Sequence, residues 1–240
     1  MRILLVRPWV NKNITTVKNF LFGEPLGIEC LSAALKEQGH EVLLVDFMIE
    51  EKSRLEPYLT SFNPHVVGVT SQCTDVDNVL RIARLAKGFD AGIALLVGGV
   101  QATCFPDCFF SDTVDYVFKS TTRENISLVM AEIESQGIPQ RIDGVYSRGL
   151  GFVNEGEFCL NEYIEPDRHI TARYRKRYQY IGFQPCAVLQ TAYGCRNRCR
   201  FCIRWKLEGP QLRHIAAQHT LPGLDLAAGG SGAATPRPRR

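Results

Sequence analysis

The segment Leu26-Gly-Ile-Glu-Cys-Leu-Ser-Ala-Ala-Leu-Lys-Glu-Gln-Gly39-His-Glu-Val-Leu-Leu-Val45 joins a helical pattern to a strand pattern. Ile28, Leu31 and Leu35 recur at the spacing that places side chains on one face of a helix. Gly39 stands where a C-terminal cap belongs, because glycine readily adopts the left-handed conformation that ends many helices. The apolar run Val42–Val45 is typical of a buried strand. The segment therefore predicts a helix followed directly by a strand, the repeating unit of an α/β fold.

The same alternation extends over residues 1 to about 138, and continuous apolar strands of this kind suit a parallel sheet buried on both faces. The predicted strands are Ile3–Val6, Val42–Val45, Val66–Thr70, Ala94–Val97 and Tyr116–Phe118. The predicted helices are Leu26–Gln38, Glu50–Ser61, Asp77–Lys87 and Asn125–Ser135, the last opened by a capping box at Thr121 and Glu124. These elements predict a doubly wound parallel sheet of about five strands, flavodoxin-like or Rossmann-like.

Ligands of such sheets bind beyond the carboxyl ends of the strands. The loops predicted at that edge carry hydroxyls and paired glycines, which allow a large flat ligand to approach the backbone closely. They are Arg7 to about Pro25, Thr70-Ser-Gln72, Gly98-Gly-Val-Gln-Ala-Thr103 and Ser120-Thr-Thr122. The sequence contains neither G-x-G-x-x-G nor G-x4-G-K-[ST], so dinucleotide and P-loop sites lose their main support.

A second informative segment is Ala187-Val-Leu-Gln-Thr-Ala-Tyr-Gly-Cys195-Arg-Asn-Arg-Cys199-Arg-Phe-Cys202. Its apolar run Ala187–Leu189 predicts a strand, and three cysteines follow with the spacing C-x3-C-x2-C. Thiolates so close in sequence can converge on one iron–sulfur, zinc or copper(I) centre. A 4Fe–4S cluster normally takes four cysteines, so three would leave one iron open to another ligand. Interleaved arginines at 196, 198 and 200 would partly neutralise an anionic cluster.

These cysteines allow two other interpretations. A structural zinc site needs a fourth ligand, which Cys186, His214 or His219 could supply. A disulfide framework is disfavoured because the nine cysteines are an odd number, lie scattered and follow no secretory segment. Cysteine usage of this kind favours a cytoplasmic location.

The cysteine segment, with Phe201 just before its third cysteine, resembles the cluster loop of radical S-adenosylmethionine (SAM) enzymes. In that family the motif follows the first strand of a βα barrel. The resemblance implies Cys195, Cys199 and Cys202 as ligands of a 4Fe–4S cluster. It further implies that the open iron chelates SAM, whose reductive cleavage yields a 5′-deoxyadenosyl radical.

The first 140 residues resemble the cobalamin-binding domain that precedes many radical SAM barrels. The likeness lies in Pro25-Leu-Gly-Ile through Val42, in Pro64-His-Val-Val-Gly-Val-Thr-Ser71 and in Val97-Gly-Gly-Val-Gln-Ala-Thr103. It implies a corrinoid lying across the strand ends, with its nucleotide tail near the third and fourth strands. The implied corrinoid contacts are Leu26, Gly27, Thr70, Ser71, Gly98, Gly99 and Gln101. Lys119-Ser-Thr-Thr-Arg-Glu124 departs from the Gly-Glu-rich segment common in the family.

Many cobalamin proteins ligate cobalt through Asp-x-His-x-x-Gly after the first strand. Asp167-Arg-His169-Ile-Thr-Ala172 approaches that pattern but follows the sheet domain and lacks the glycine. A capped turn or solvated histidine is therefore the preferred interpretation of His169, and no histidine is expected below the corrin.

Four regions are predicted along the chain. Residues 1–140 would be the cobalamin-binding domain. Residues 141–185 would contain a glycine-rich β-hairpin (Ile142 to Phe158) and a basic, tyrosine-rich linker (Tyr163 to Pro185) with a solvated or anion-facing surface. Residues 186–212 would be the incomplete start of a radical SAM domain. In residues 213–240 the composition shifts to Ala, Gly, Pro and Arg, which predicts a disordered or out-of-frame tail in a truncated, inactive chain.

The leading hypothesis is a cobalamin-dependent radical SAM protein of methyltransferase type, although other family members catalyse rearrangements or cyclisations. The expected cofactors are a 4Fe–4S cluster, SAM and cobalamin, with an external electron donor to reduce the cluster. The alternatives are a corrinoid-binding module without turnover and a zinc-stabilised α/β domain. A net charge of +3 is too small to argue for nucleic acid, and no apolar run is long enough for a membrane span.

Overall fold

A six-stranded sheet forms the centre of the protein. The computed structural model describes residues 1–9, 21–50, 54–136, 141–151, 163–181 and 183–216. The strands of this sheet are β1 (Arg2–Arg7), β3 (Glu41–Asp46), β4 (Val66–Thr70), β5 (Ala94–Gly98), β6 (Tyr116–Phe118) and β7 (Val145–Ser147). Their order is β3-β1-β4-β5-β6-β7, parallel except where β7 pairs antiparallel with β6. The five predicted strands are confirmed in a flavodoxin-like order, whose switch point lies between β1 and β4.

Helices cover both faces of the sheet. They are α1 (Leu26–Glu37), α2 (Glu56–Phe62), α3 (Val76–Phe89), α4 (Val100–Cys104), α5 (Arg123–Ser135) and α6 (Arg204–Glu208). The long predicted helices are confirmed to within a few residues, except that α2 begins at Glu56 rather than Glu50. Gly39 has the expected positive φ after α1. Two apolar clusters, one on each face of the sheet, form the core.

The capping box of α5 was predicted one residue too early. Thr122, not Thr121, is the N-cap, and its hydroxyl accepts from the backbone N–H of Asn125 at 3.1 Å. The Asn125 side chain in turn accepts from the backbone N–H of Thr122 at 2.9 Å. Asparagine does here what the predicted Glu124 was expected to do, because its short amide reaches the same backbone group.

The predicted hairpin after residue 141 contributes its first strand to the main sheet, as β7. A turn follows, and Ser147 forms an isolated bridge with Gly151. The second arm of this hairpin lies outside the described residues, as do residues 217–240 of the predicted tail and His219.

The predicted linker after Tyr163 packs on the sheet domain instead of lying in solvent. Tyr174 and Tyr178 join the core cluster beside β1 and β3, whereas Tyr180 is exposed. A short pair of strands, β2 (Leu21–Phe22) and β8 (Gln179–Tyr180), further attaches it.

The expectation of a solvated basic surface is wrong for Arg168, which is 2% exposed because it lies between Glu24 and Glu29. His169 is exposed and lies in a turn, where its backbone N–H donates to Asp167 Oδ1. This agrees with the capped turn that the sequence favoured over a cobalt ligand.

Glu29 gives the fold a testable pH dependence. Burial, reinforced by the like charge of Glu24, raises the pKa of this carboxyl from 4.5 to about 7, although the Thr171 hydrogen bond and Arg168 oppose the shift. A raised folded-state pKa contributes stability that is complete below about pH 4.5 and lost as the pH rises through about 7. We expect Glu29→Gln to reduce the fall in unfolding free energy between about pH 5 and pH 8, measured by urea denaturation. Equal slopes for the variant and the wild type would contradict this assignment.

No helix in the described ranges is both long and apolar enough to cross a membrane.

Candidate functional site

A cavity of about 440 Å³ lies between one face of the sheet and the helices α1 and α5. Its floor consists of alternate residues of neighbouring strands, which share a face because strand side chains alternate. These are Ile3, Leu5, Val66, Gly68, Leu96 and Phe118. Helix α1 supplies one wall through Leu26, Gly27, Cys30 and Leu31, and α5 supplies another through Ile126 and Met130. The cavity is thus a mainly apolar slot that runs along the sheet toward the carboxyl ends of its strands.

Polar groups gather at the strand ends, where the slot meets the loops. Thr70, Gly98, Thr103 and Thr121 line this part, together with Lys119 after β6. An apolar slot with a polar end suits a ligand that has a flat hydrophobic part and a hydrogen-bonding part.

Gly99 makes the turn between β5 and α4 possible. Its φ is +95°, and an added Cβ would lie 2.7 Å from the backbone N and O of Ser71 and from Thr70 Oγ1. The two loops at the strand ends therefore approach each other more closely than any side chain at this position permits.

We expect Gly99→Ala to destabilise the fold by about 1–3 kcal/mol from the positive φ, with a further cost from the clash. Gly39→Ala is a matched control, because Gly39 also has a positive φ but an added Cβ there meets nothing within 4 Å. Urea denaturation of the two variants measures the difference, and equal losses would show that the close approach at Ser71 is unimportant.

Of the seven predicted corrinoid contacts, Leu26, Gly27, Thr70, Gly98 and Gly99 line the cavity. Ser71 is buried behind it: its hydroxyl donates to the Gly98 carbonyl at 2.7 Å and accepts from the Ala102 N–H at 3.1 Å. The backbone N–H of Gln101 donates to the Ser71 carbonyl, and its side-chain amide faces Cys108 Sγ at 3.7 Å. These two residues support the loops of the site and are not among the residues that line the cavity.

The cysteine segment and α6 line the remaining part of the cavity, here termed its mouth. Gln190, Tyr193, Leu207 and Glu208 line it together with the α1 residues. Burial raises the pKa of the Tyr193 phenol to about 12, with neighbouring Cys30, Tyr163 and Glu208 adding to the shift, so this hydroxyl stays protonated and can donate a hydrogen bond at neutral pH. The sequence placed Gln190 and Tyr193 close to the cysteines, which was the available signal for a role in the site. Nothing in the sequence indicated that they share a cavity with α1.

The strand predicted over Ala187–Leu189 is not formed. Val188 instead bonds to side chains, since its N–H donates to Glu24 Oε2 at 3.2 Å and its carbonyl accepts from Arg168 Nη2 at 2.7 Å. The strand of this segment is β9 (Ala192–Tyr193), paired antiparallel with β10 (Arg213–His214).

Backbone and side-chain contacts hold the turn into the cysteines. Gly194 has a φ of +77°, and an added Cβ would lie 1.9 Å from the Gln211 carbonyl oxygen. Its N–H donates to Glu208 Oε2 at 2.9 Å, and the N–H of Cys195 donates to the Gly209 carbonyl at 3.2 Å. The first cysteine therefore has a defined position beside the cavity mouth.

Cys195, Cys199 and Cys202 are all half-buried free thiols. The N–H of Cys202 donates to the Cys199 carbonyl, and the Trp205 indole N–H donates to the same oxygen. The three cysteines offer soft thiolate donors, which are suitable ligands for an iron–sulfur cluster. Within the described ranges, however, no three Cys, His, Asp or Glu side chains converge as a metal site. A zinc ion held by these residues therefore gains no support, whereas the ligands of a 4Fe–4S cluster bind different irons and need not converge on one point.

Comparisons with known proteins agree with this geometry. Residues 13–127 match the family model of the B12 binding domain. The hopanoid C-3 methylase of Methylococcus capsulatus is 25% identical over 235 residues, which cover 93% of this chain and 44% of that protein. An uncharacterised methyltransferase of Pyrococcus horikoshii, PH0819, is 24% identical over 94% of this chain and 50% of its own length. The chain thus spans about half the length of these curated relatives.

A solved structure shows the same fold. The radical SAM methyltransferase TsrM of Kitasatospora setae, determined with cobalamin and a [4Fe-4S] cluster bound, superposes with a TM-score of 0.67 at 16% identity. The match covers 95% of this chain and 46% of TsrM. These comparisons show that residues 13–127 match a B12 binding domain, and that the chain resembles B12-binding-domain radical SAM methyltransferases in sequence and in fold.

Proposed function

We propose that the chain binds cobalamin in the cavity between α1, α5 and the sheet, and a 4Fe–4S cluster with SAM at Cys195, Cys199 and Cys202. We propose further that these sites serve a methyl transfer. The cobalamin part corresponds to residues 1–140 and the cluster part to residues 186–212. When bound, these cofactors supply methyl relay and radical generation. An external electron donor and a cytoplasmic location complete the proposal.

The observation that carries this proposal is the position of the cysteine segment. Tyr193 and Glu208 line the same cavity as the α1 residues Leu26 and Gly27. Glu208 also accepts from the N–H of Gly194, the residue before the first cysteine. Two cofactors that exchange a group must lie close together, and this shared lining supports adjacent positions for the two proposed sites.

The shape of the cavity supports the orientation of the ligand. The slot is floored by Gly68 of β4 and Leu96 of β5, the third and fourth parallel strands of the domain in chain order. A nucleotide tail would enter there, while the corrin ring would lie across Thr70, Gly98 and Gly99 at the strand ends. Lys119 and Thr121 line the cavity in the loop that departs from the family pattern, which makes them candidates for polar contacts with the ligand.

Anaerobic reconstitution with hydroxocobalamin, ferrous iron and sulfide tests the proposal. The absorbance spectrum should show both corrinoid bands and the broad shoulder of an iron–sulfur cluster after desalting. Formation of 5′-deoxyadenosine after addition of SAM and a reductant would support the radical chemistry. A colourless protein would refute both binding proposals, and stoichiometric zinc without iron would favour the structural zinc site.

A corrinoid-binding module without cluster chemistry is the second candidate. It is supported by the extent of the family match, since residues 13–127 match the B12 binding domain and the three cysteines lie beyond them. Retention of the corrinoid without iron, and without formation of 5′-deoxyadenosine, would support it over the first proposal.

A further inference from the structure

Arg168 is a buried arginine between the sheet domain and the cysteine segment. It does not line the cavity, yet its side chain is only 2% exposed. Nη1 donates to Glu24 Oε2 at 2.8 Å and to Glu29 Oε2 at 2.7 Å. Nη2 donates to the backbone carbonyl of Val188 at 2.7 Å. One guanidinium therefore joins two carboxylates to the chain that leads to the cysteines.

The two carboxylates belong to the start of α1. Glu24 precedes the helix and Glu29 lies in its first turn, and both side chains are fully buried. A buried carboxylate without a partner is strongly unfavourable, so this pair holds the guanidinium in one place. Thr171 adds a hydrogen bond to Glu29 Oε1 at 2.5 Å. Because the guanidinium presents its donors in a fixed fork, Nη1 can bond the two carboxylates while Nη2 bonds the Val188 carbonyl.

Val188 is held on its backbone and on its side chain. Its N–H donates to Glu24 Oε2 and its carbonyl accepts from Arg168. Its Cγ2 lies where a Cβ at Gly23 would come within 2.8 Å, so the side chain packs directly on the backbone before α1. Any shift of the start of α1 is therefore transmitted to Val188.

Both ends of this connection reach a cofactor site. Leu26 and Gly27, just beyond Glu24, line the cavity. Beyond Val188, the chain passes Gln190 and Tyr193, which line the cavity mouth, and then enters the turn at Cys195.

We propose that Arg168 is a positioning residue that couples the filling of the cavity to the placement of the cysteine segment. A ligand that fixes α1 would fix Val188 through Arg168 and Glu24, and would so restrict the motion of the cysteines. The inference rests on the proposed function, since it takes the ligand of the cavity to be cobalamin. Such coupling is reciprocal and changes binding or accessibility severalfold.

Thiol alkylation tests the coupling without any cluster. The full, reduced chain is treated with iodoacetamide with and without saturating cyanocobalamin, and modification of Cys195, Cys199 and Cys202 is followed by mass spectrometry. We expect cyanocobalamin to slow alkylation of the wild type about fivefold, near the lower end of usual coupling factors. Equilibrium dialysis of each protein measures its binding of cyanocobalamin independently.

Two variants break the connection at different groups. Arg168→Lys keeps a positive charge for the carboxylates but loses the fork that also reaches Val188. Val188→Pro removes the N–H that donates to Glu24 and leaves every buried charge in place. It can therefore be tested even if the lysine variant does not fold. In both variants we expect cyanocobalamin to bind while its protection falls below about twofold. Leu189→Ala, the matched control, changes an exposed side chain next to Val188, keeps the backbone and side-chain contacts of Val188, and should retain the wild-type protection.

The outcomes separate this inference from the proposed function. Failure of the wild type to retain cyanocobalamin would refute the cobalamin site and the coupling together. Binding without slower alkylation would refute the coupling alone. Equal protection in the wild type, Arg168→Lys and Val188→Pro would show that the ligand shields the cysteines directly, which also overturns the role of Arg168.

Discussion

Replacing Gly27 by Trp is expected to lower the affinity of the chain for cobalamin by about 100-fold or more, equivalent to about 2.7 kcal/mol. Gly27 lies in the first turn of α1 and lines the cavity, and an added Cβ would meet no atom within 4 Å. An indole at this position can therefore be accommodated by the protein while it competes with the ligand for a slot of about 440 Å³. Equilibrium dialysis with hydroxocobalamin measures the loss.

Gly88→Trp provides the matched control for this experiment. Gly88 is also a helical glycine, in α3, and an added Cβ there likewise meets nothing within 4 Å. It does not line the cavity. Both substitutions remove a residue that disfavours helix, so neither is expected to lower the thermal midpoint. Loss of affinity in both variants, or in neither, would refute the assignment of the cavity to cobalamin.

The sheet was predictable because its signals are local. Each strand is a short run of branched or leucine side chains, and Gly39 ends α1 where the pattern said it should. The ligand-binding edge followed from the topology, since parallel strands place their carboxyl ends together. Five of the seven predicted contacts line the cavity for that reason, whereas Ser71 and Gln101 sit in the same loops but bond to neighbouring backbone and sulfur atoms.

The features that the sequence did not indicate depend on contacts between residues far apart in the chain. Arg168 stood among basic residues that suggested a solvated surface, and its partners Glu24 and Glu29 are far away in the chain. The strand at Ala187–Leu189 had a suitable apolar pattern, but Arg168 and Glu24 bind the backbone of Val188 in place of a neighbouring strand. Periodicity reports which face of an element is apolar; it does not report which distant side chain will occupy that face.

Replacing any one of Cys195, Cys199 and Cys202 by serine is expected to reduce the iron bound after anaerobic reconstitution from about four atoms per chain to less than about one tenth of that amount. Serine is isosteric but lacks the soft thiolate that iron–sulfur clusters require. The loss should be large for each position, because a loop with three ligands has none to spare. Iron is measured by elemental analysis, and the cluster by its visible absorbance.

Cys186→Ser distinguishes cluster ligation from general thiol chemistry. Cys186 lies in the same segment and is also a half-buried free thiol, but it is outside the C-x3-C-x2-C spacing. Its replacement should leave the bound iron unchanged if the three-cysteine assignment is correct. Because Cys186 was also one possible fourth ligand of a zinc site, zinc that binds to the wild type and is lost from Cys186→Ser would instead favour a four-ligand structural centre. Cobalamin binding should survive in all four serine variants, since α1 and the strand ends that form the cavity contain none of these cysteines.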